Sequence, residues 1–263
     1  MKSIHDFKTF KQESRKISMI TCYDACFGKI VDKSSIDAVL VGDSVAMVLH
    51  GYDSTLHATP EMMQAHTSAV ARSVKNKFIV ADMPFLSFRK GKTEALDVAG
   101  SLMKSGAHAV KIEGLKGHED VIEHLIDSGI PVMGHLGLTP QSVMQLGGHR
   151  IQGRIEAEAH KIINEASELE RLGCFALVLE CVPEKLGTQV TQKLSIPTIG
   201  IGAGRFVDGQ VLVLHDMLGA QPEFKPKFLK SYAQLHDFSL AALNNFDEEV
   251  KKSVFPSEKE IYI

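Results

Sequence analysis

Apolar positions in this chain fall into two alternating rhythms. Short runs of Val, Ile and Leu, bounded by glycine, proline or an acid, predict strands. Longer stretches with apolar residues three and four apart predict helices. The opening residues place Ile4, Phe7 and Phe10 at helical spacing, so residues 1 to about 15 read as a short amphipathic helix. ISMITCYD, from Ile17 to Asp24, is the first predicted strand, and a helical segment through Phe27, Ile30 and Val31 leads to the second, AVLVGDS, from Ala38 to Ser44. Val45 to Ala58 has no periodicity and reads as a long loop. Thr59-Pro60-Glu61 marks a helix start: a capping hydroxyl, a proline where a first-turn amide is spare, and an acid at the positive end. That helix is predicted to reach about Lys75 and feed a third strand, FIVADMP.

The alternation continues. Thr93 reads as the cap of a helix through Leu96 and Leu102 that Gly106 ends, ahead of AVKIEG. Val121, Ile122, Leu125 and Ile126 form a helical stripe closed by Gly129, and Pro131 opens a fifth strand, PVMGHLG. Thr139-Pro140 starts another capped segment, and Leu146 to Arg154 is a polar loop. Ala159, Ile162, Ile163, Ala166, Leu169 and Leu172 give the clearest helix, stopped by Gly173. ALVLECV, PTIGIGAG and VLVLHDML (Val211 to Leu218) are the last predicted strands, and Phe224, Phe228, Tyr232 and Leu235 mark a terminal helical layer. Strands mostly separated by helical segments predict a parallel sheet. The length of 263 residues is close to the roughly 250 typical of a closed eight-fold ring. The predicted fold class is therefore α/β, a (β/α)8 TIM barrel. Residues 1–263 are expected to form one barrel domain with a short N-terminal helix and a C-terminal helical tail.

Four of these strands end in an acid. Alternation across a strand predicts Asp43 on the face of Val39 and Val41, and Asp82 on that of Phe78 and Val80. It also predicts Glu113 in line with Ala109 and Lys111, and Glu180 in line with Ala176 and Val178. Active sites of such barrels lie at the carboxyl ends of the strands. Asp43, Asp82 and Glu113 come from neighbouring strands, and carboxylates that close repel strongly unless a cation sits among them. An all-oxygen set with room for water and substrate favours magnesium over calcium, and no histidine or cysteine pair has zinc-ligand spacing. Helix capping or pairing with arginines is the structural alternative for each acid. Lys111, aimed inward, reads as either a structural ion pair or a partner for an anionic substrate. Glu180, across the ring, is placed to serve as a general base, with a helix cap or rim salt bridge as its alternative. His135 is either a donor to substrate or a satisfied core residue. Gly200, Gly202 and Gly204 have GxGxG spacing, which is not a dinucleotide fingerprint, and read as places where backbone and ligand approach closely.

Charge narrows the partners. With 29 basic against 32 acidic residues, the net of −3 provides no field for nucleic acid or an anionic membrane. No apolar run approaches the ~18 residues of a membrane span. The opening MKSIHDFKTFKQES carries no apolar stretch of secretory type. Cys22, Cys26, Cys174 and Cys181 lack paired spacing and read as reduced thiols, so a cytoplasmic protein is expected.

Taken together, LVGDS, GYDSTLHAT, VADMPF, AVKIEG, VMGHLGLTPQSVMQLGGHRIQGR, FALVLECVPEKL and IPTIGIGAG with DGQVLVLHDMLG resemble the ketopantoate hydroxymethyltransferase family over about Ile17 to Leu218. The resemblance implies a phosphoenolpyruvate/isocitrate lyase-like barrel that binds Mg2+, with methylenetetrahydrofolate as cosubstrate. It implies hydroxymethyl transfer to 3-methyl-2-oxobutanoate through a magnesium-stabilised enolate, giving 2-dehydropantoate for pantothenate and coenzyme A biosynthesis. Asp43, Asp82 and Glu113 would hold the metal. Asp43, Ser44, Asp82 and Lys111 would bind the keto acid, and Glu180 would accept the proton. The resemblance also implies a homo-oligomer, a decamer. His57, His149, Leu186 to Gln189 and Arg205-Phe206-Val207 depart from the family pattern. Two rival readings use the same residues: another enolate-forming lyase or mutase, and a keto-acid-binding barrel without chemistry.

Overall fold

A computed structural model describes residues 3–262. The chain divides into two compact units, one through Leu212 and one from Val213. In the first, eight parallel strands close into a ring in sequence order. They are β1 (Ile17–Thr21), β2 (Ala38–Val41), β3 (Phe78–Asp82), β4 (Ala109–Glu113), β5 (Val132–Gly137), β6 (Ala176–Glu180), β7 (Thr198–Ile201) and β8 (Gly209–Leu212). Pairing of β8 with β1 completes the ring. The strand residues of β3 and β4 are all buried, as expected of parallel strands covered on both faces.

Helix α1 (Ile4–Gln12) precedes the ring. Its Phe7 packs edge-on against Phe78 at 5.4 Å and Phe175 at 5.1 Å, both at the amino ends of strands. Phe7 and Phe10 thus close the amino end of the ring, in one cluster with Ile17, Met19, Ala38, Leu40, Val80, Ala109 and Val178. Burying such a side chain contributes about 1.5–3 kcal/mol. Lys11, in the last turn of α1, anchors the helix by donating to Thr191 O, Ile196 O and Asp208 Oδ2.

Between the strands run α2 (Ala25–Lys33), α3 (Val45–Val48), α4 (Pro60–Ser73), α5 (Lys92–Lys104), α6 (Glu119–Asp127), α7 (Glu156–Arg171) and α8 (Glu184–Lys193). The predicted start of α4 is observed: Thr59 Oγ1 accepts from the Met62 amide and Pro60 opens the helix. Other elements differ from expectation. The stretch 45–58 holds α3 and a 3-10 turn at Thr55–His57, each too short to leave a periodic signature. α5 starts at Lys92 after Gly91, so Thr93 lies inside the first turn rather than capping it. Thr139 provides no side-chain cap, and Pro140–Ser142 is a single 3-10 turn. α8 had no clear pattern because its buried positions include Gly187 and Thr191 beside Leu186 and Val190. β8 ends at Leu212 although the apolar run continues, because Leu214 is already the first residue of the next helix.

The unit from Val213 contains α9 (Leu214–Met217) and α10 (Leu235–Lys251). Tyr232 N donates to Met217 O and Leu235 N to Leu218 O. Phe224, Phe228 and Tyr232 lie before α10 in irregular, turn and bend backbone, so the terminal helix starts only at Leu235. Among the described residues no helix is long and apolar enough to cross a membrane.

Candidate active site

Strand alternation delivers three of the acids directly. On β3, Phe78 and Val80 lie in the interior cluster, and Asp82 follows on their face. On β4, Ala109 is interior and leads to Lys111 and Glu113; on β6, Ala176 and Val178 lead to Glu180. The register sets Asp82 beside Lys111, Glu113 beside His135, and Glu180 beside Gly137. Gly137 has φ +93°, and a Cβ there would lie 2.2 Å from Glu180 O, so glycine is what lets β5 and β6 close at the acid.

Asp43 arrives by another route, which corrects the expected face. The interior residues of β2 are Ala38 and Leu40, not Val39 and Val41, so continued alternation would turn Asp43 away from the interior. Instead β2 stops at Val41 and the chain turns through Gly42. A Cβ on Gly42 would lie 2.8 Å from Ser44 Oγ. The Asp43 amide then donates to Asp82 Oδ2 at 3.0 Å, and its carboxylate accepts from Gln141 Nε2 at 2.8 Å.

The groups brought together are almost dry: Asp43, Asp82, Lys111, Glu113 and His135 are each 2–4% exposed. Lys111 Nζ lies 3.2 Å from Asp82 Oδ1, 3.8 Å from Glu113 Oε1 and 3.1 Å from His135 Nδ1. His135 stands between two acids, with Nδ1 3.5 Å from Glu113 Oε1 and Nε2 3.3 Å from Glu180 Oε2. Glu180 is therefore not isolated across the ring, because one imidazole links it to the cluster. An ammonium can only donate, so in neutral His135 Nδ1 accepts from Lys111 and Nε2 carries the proton, near Glu180 Oε2 but not in a formed hydrogen bond with it.

Burial and the charges of Asp82 and Glu113 push the Asp43 carboxyl well above its usual range. Burial also raises Asp82, against the opposing pull of Lys111. For Glu113 burial is outweighed by His135 and Lys111, and the carboxyl is lowered. Burial disfavours the Lys111 ammonium, yet Asp82, Glu113 and Asp43 hold it above the ordinary lysine range. For His135, burial and Lys111 act downward, and contacts with Glu113 and Glu180 leave it raised.

Three buried acids thus face one ammonium; burial raises both Asp43 and Asp82, and for Asp43 the neighbouring Asp82 and Glu113 add to it. A divalent cation would offset that charge, and the donors are hard oxygens of the kind Mg2+ takes. Among the described residues no three His, Cys, Asp or Glu side chains form a preformed metal-binding group. The set fits an ion to which the protein gives few ligands, water and substrate completing the shell, as magnesium sites commonly do.

Ser44 lies beside Asp43, and its Oγ pairs with the hydroxyl of fully buried Tyr23 at 2.8 Å. Neither Tyr23 nor Gln141 carries a sequence signal for this role, since each acts through a contact distant in the chain. Gly200 and Gly204 abut protein: Cβ atoms there would meet Val207 Cγ2 at 2.8 Å and Glu184 Cγ at 2.5 Å. His57 stacks on Tyr52 and lies 3.6 Å from Asp53, while Arg205 pairs with Glu184 at 3.1 Å. The four cysteines are free, and burial pushes the Cys22 and Cys174 thiols up to about 11 and 12. Burial, then the Glu180 charge, pushes Cys181 up to about 12. A cleft of about 470 Å³ between α7 and α8, lined by Arg154, Ile155, His160, Lys185 and Leu186, contains none of the acids.

Comparison with known proteins identifies the family of the chain. Residues 1–258 match the family model described as ketopantoate hydroxymethyltransferase. The chain is 54% identical over 262 residues to the 3-methyl-2-oxobutanoate hydroxymethyltransferase of Bdellovibrio bacteriovorus, covering all of both chains. It is 52% identical over 257 residues to that of Legionella pneumophila, covering 97% of this chain and 98% of the relative. Among solved structures, it is similar to phosphonopyruvate hydrolase complexed with oxalate and Mg++, with TM-score 0.64 and 9% identity over 99% of this chain and 93% of that one. It is also similar to 2,3-dimethylmalate lyase, a PEP mutase/isocitrate lyase superfamily member, with TM-score 0.61 and 14% identity over 100% and 92%. At such identities the structural likeness speaks for the barrel alone.

Proposed function

The chain belongs to the ketopantoate hydroxymethyltransferase family, and on that premise we propose how its barrel mouth moves a hydroxymethyl group from methylenetetrahydrofolate to 3-methyl-2-oxobutanoate. The product is 2-dehydropantoate (ketopantoate), a step in making pantothenate and coenzyme A. The observation that carries this reading is a buried cluster of three acids and Lys111, with Glu180 joined to its far side through His135. Asp43, Asp82 and Glu113 would line the Mg2+ site, holding the ion directly or through its water shell. When bound, the ion supplies Lewis acidity at the keto oxygen, where charge develops on deprotonation. Asp43, Ser44, Asp82 and Lys111 bind the keto acid, Lys111 balancing its carboxylate.

Glu180 takes the proton from C3. Proton transfer from such a carbon to a glutamate is steeply uphill, at about 1.4 kcal/mol for each pKa unit of mismatch. Lys111 lowers that cost electrostatically, and His135 Nε2, 3.3 Å from Glu180 Oε2, helps to position that carboxyl. C3 then bonds to the one-carbon unit of the folate as both C–N bonds of its methylene bridge break, and the two nitrogens take up the proton held by Glu180 and one from water. Overall one water is consumed, its oxygen ending in the new hydroxymethyl group, and tetrahydrofolate leaves. The protein is cytoplasmic and homodecameric. Exposed Phe238, Leu243 and Phe246 on α10 support self-association.

The test is exchange of the C3 proton with solvent deuterium, followed by NMR with and without Mg2+. Glu180→Gln is expected to abolish exchange while Mg2+ binding persists; exchange at the unaltered rate would remove Glu180 from the role. Consumption of the keto acid in the absence of folate, beyond proton exchange, would favour a lyase of the kind named among the structural neighbours.

A further inference from the structure

Gln141 lies in the 3-10 turn Pro140–Ser142, after β5, and is 6% exposed. It touches two of the three acids. Its backbone amide donates to Glu113 Oε2 at 2.9 Å, and its side-chain Nε2 donates to Asp43 Oδ2 at 2.8 Å. The same Nε2 donates to Met83 O at 2.9 Å, so both of its hydrogens are committed. This settles the orientation of the amide. Flipped, its oxygen would face a carboxylate and a carbonyl, both acceptors, and lose two buried hydrogen bonds. Oε1 is thereby held on the opposite side, buried and without a hydrogen-bond partner. An orphaned buried acceptor is costly unless something donates to it. Oε1 belongs to the same amide whose Nε2 reaches the Asp43 carboxylate.

We propose that Gln141 is a positioning residue for the divalent cation. It clamps Asp43 and Glu113, which come from different strands, in one mutual arrangement and presents Oε1 as the acceptor for the hydrated ion. The inference rests on the metal-binding reading of the acids but makes a separate demand, because Gln141 itself transfers no proton and need not touch the keto acid. Groups that orient metal-ligating carboxylates typically change affinity by about 10–100-fold when removed.

The experiment uses Gln141→Met, which keeps side-chain length and adapts to its pocket while deleting both polar atoms. Mn2+ affinity is read by electron paramagnetic resonance on the full-length protein, alongside its melting temperature in EDTA. The expected result is about 10–100-fold weaker Mn2+ binding. The Mg2+ concentration needed for half-maximal keto-acid exchange should rise in parallel, with the exchange rate recovered at saturating Mg2+. Such rescue by the ion is not what a purely structural lesion would give. Mn2+ affinity within twofold of the unaltered protein would overturn the proposal. If the unaltered protein binds no Mn2+ either, the metal-binding reading fails first, and the two failures are distinguishable. Should Gln141→Met not fold, a crystal structure of the unaltered protein with Mn2+ decides: an ordered water or the ion within hydrogen-bond or ligand distance of Oε1 supports the role, and an Oε1 without either refutes it.

Discussion

Lys111 concentrates the electrostatics of this chain in one side chain. It is buried, and it is the ammonium that meets Asp82 and Glu113. Removing one member of a buried ion pair leaves uncompensated charge, at a cost of about 3–5 kcal/mol. Lys111→Met is therefore expected to lower the melting temperature in EDTA markedly, and saturating Mg2+ should recover part of the loss by replacing the missing charge. Equal melting of the variant and the unaltered protein in EDTA would show that the cluster does not depend on this ammonium. Asp82, Glu113 and Lys111 were legible as a convergent set, and Glu180 as an inward-facing acid set apart from them, because strand alternation continues unbroken to the ends of β3, β4 and β6. Asp43 was legible as a residue but for the wrong reason, since alternation on β2 points it away and only the turn at Gly42 returns it. Gln141, Tyr23 and the bridging part of His135 were not legible. Their roles arise from side chains that meet across many intervening residues, and a single sequence carries no periodic trace of such meetings.

At the scale of elements, the strands were read more faithfully than their connections. Parallel strands buried on both faces leave long apolar runs, whereas α3, the 3-10 turns and α8 bury too few residues to rise above their polar surroundings. One connection carries a testable pH dependence. His118, immediately before α6, is 1% exposed and packs 4.9 Å from the Phe88 ring. Burial, then the nearby Arg89 charge, holds its imidazole down to about 4 from an ordinary 6.5. As pH falls from 6.5, the unfolded chain gains a proton there that the folded chain refuses, so stability is lost between pH 6.5 and about 4 and no further below it. Over that window the loss amounts to roughly 3 kcal/mol. His118→Gln is expected to flatten the slope, as urea denaturation at pH 7 and pH 5 would show; an unchanged slope would assign it to other groups.

At the scale of the whole molecule, closure of the ring was legible from length and alternation alone, while assembly was not. Family resemblance, not composition, leads to the expectation of a decamer, and sedimentation velocity is expected to find a particle of about ten times the 28.8 kDa chain mass. A monomer or dimer at micromolar concentration would contradict it. Register carries a further consequence. β4 meets β3 with Lys111 beside Asp82 and meets β5 with Glu113 beside His135. A slip of β4 by one residue would swing Lys111 and Glu113 into the helical layer and bring Ile112 inward. Misassembled barrels would then be inert, without the means to generate a reactive carbanion and release it half-used.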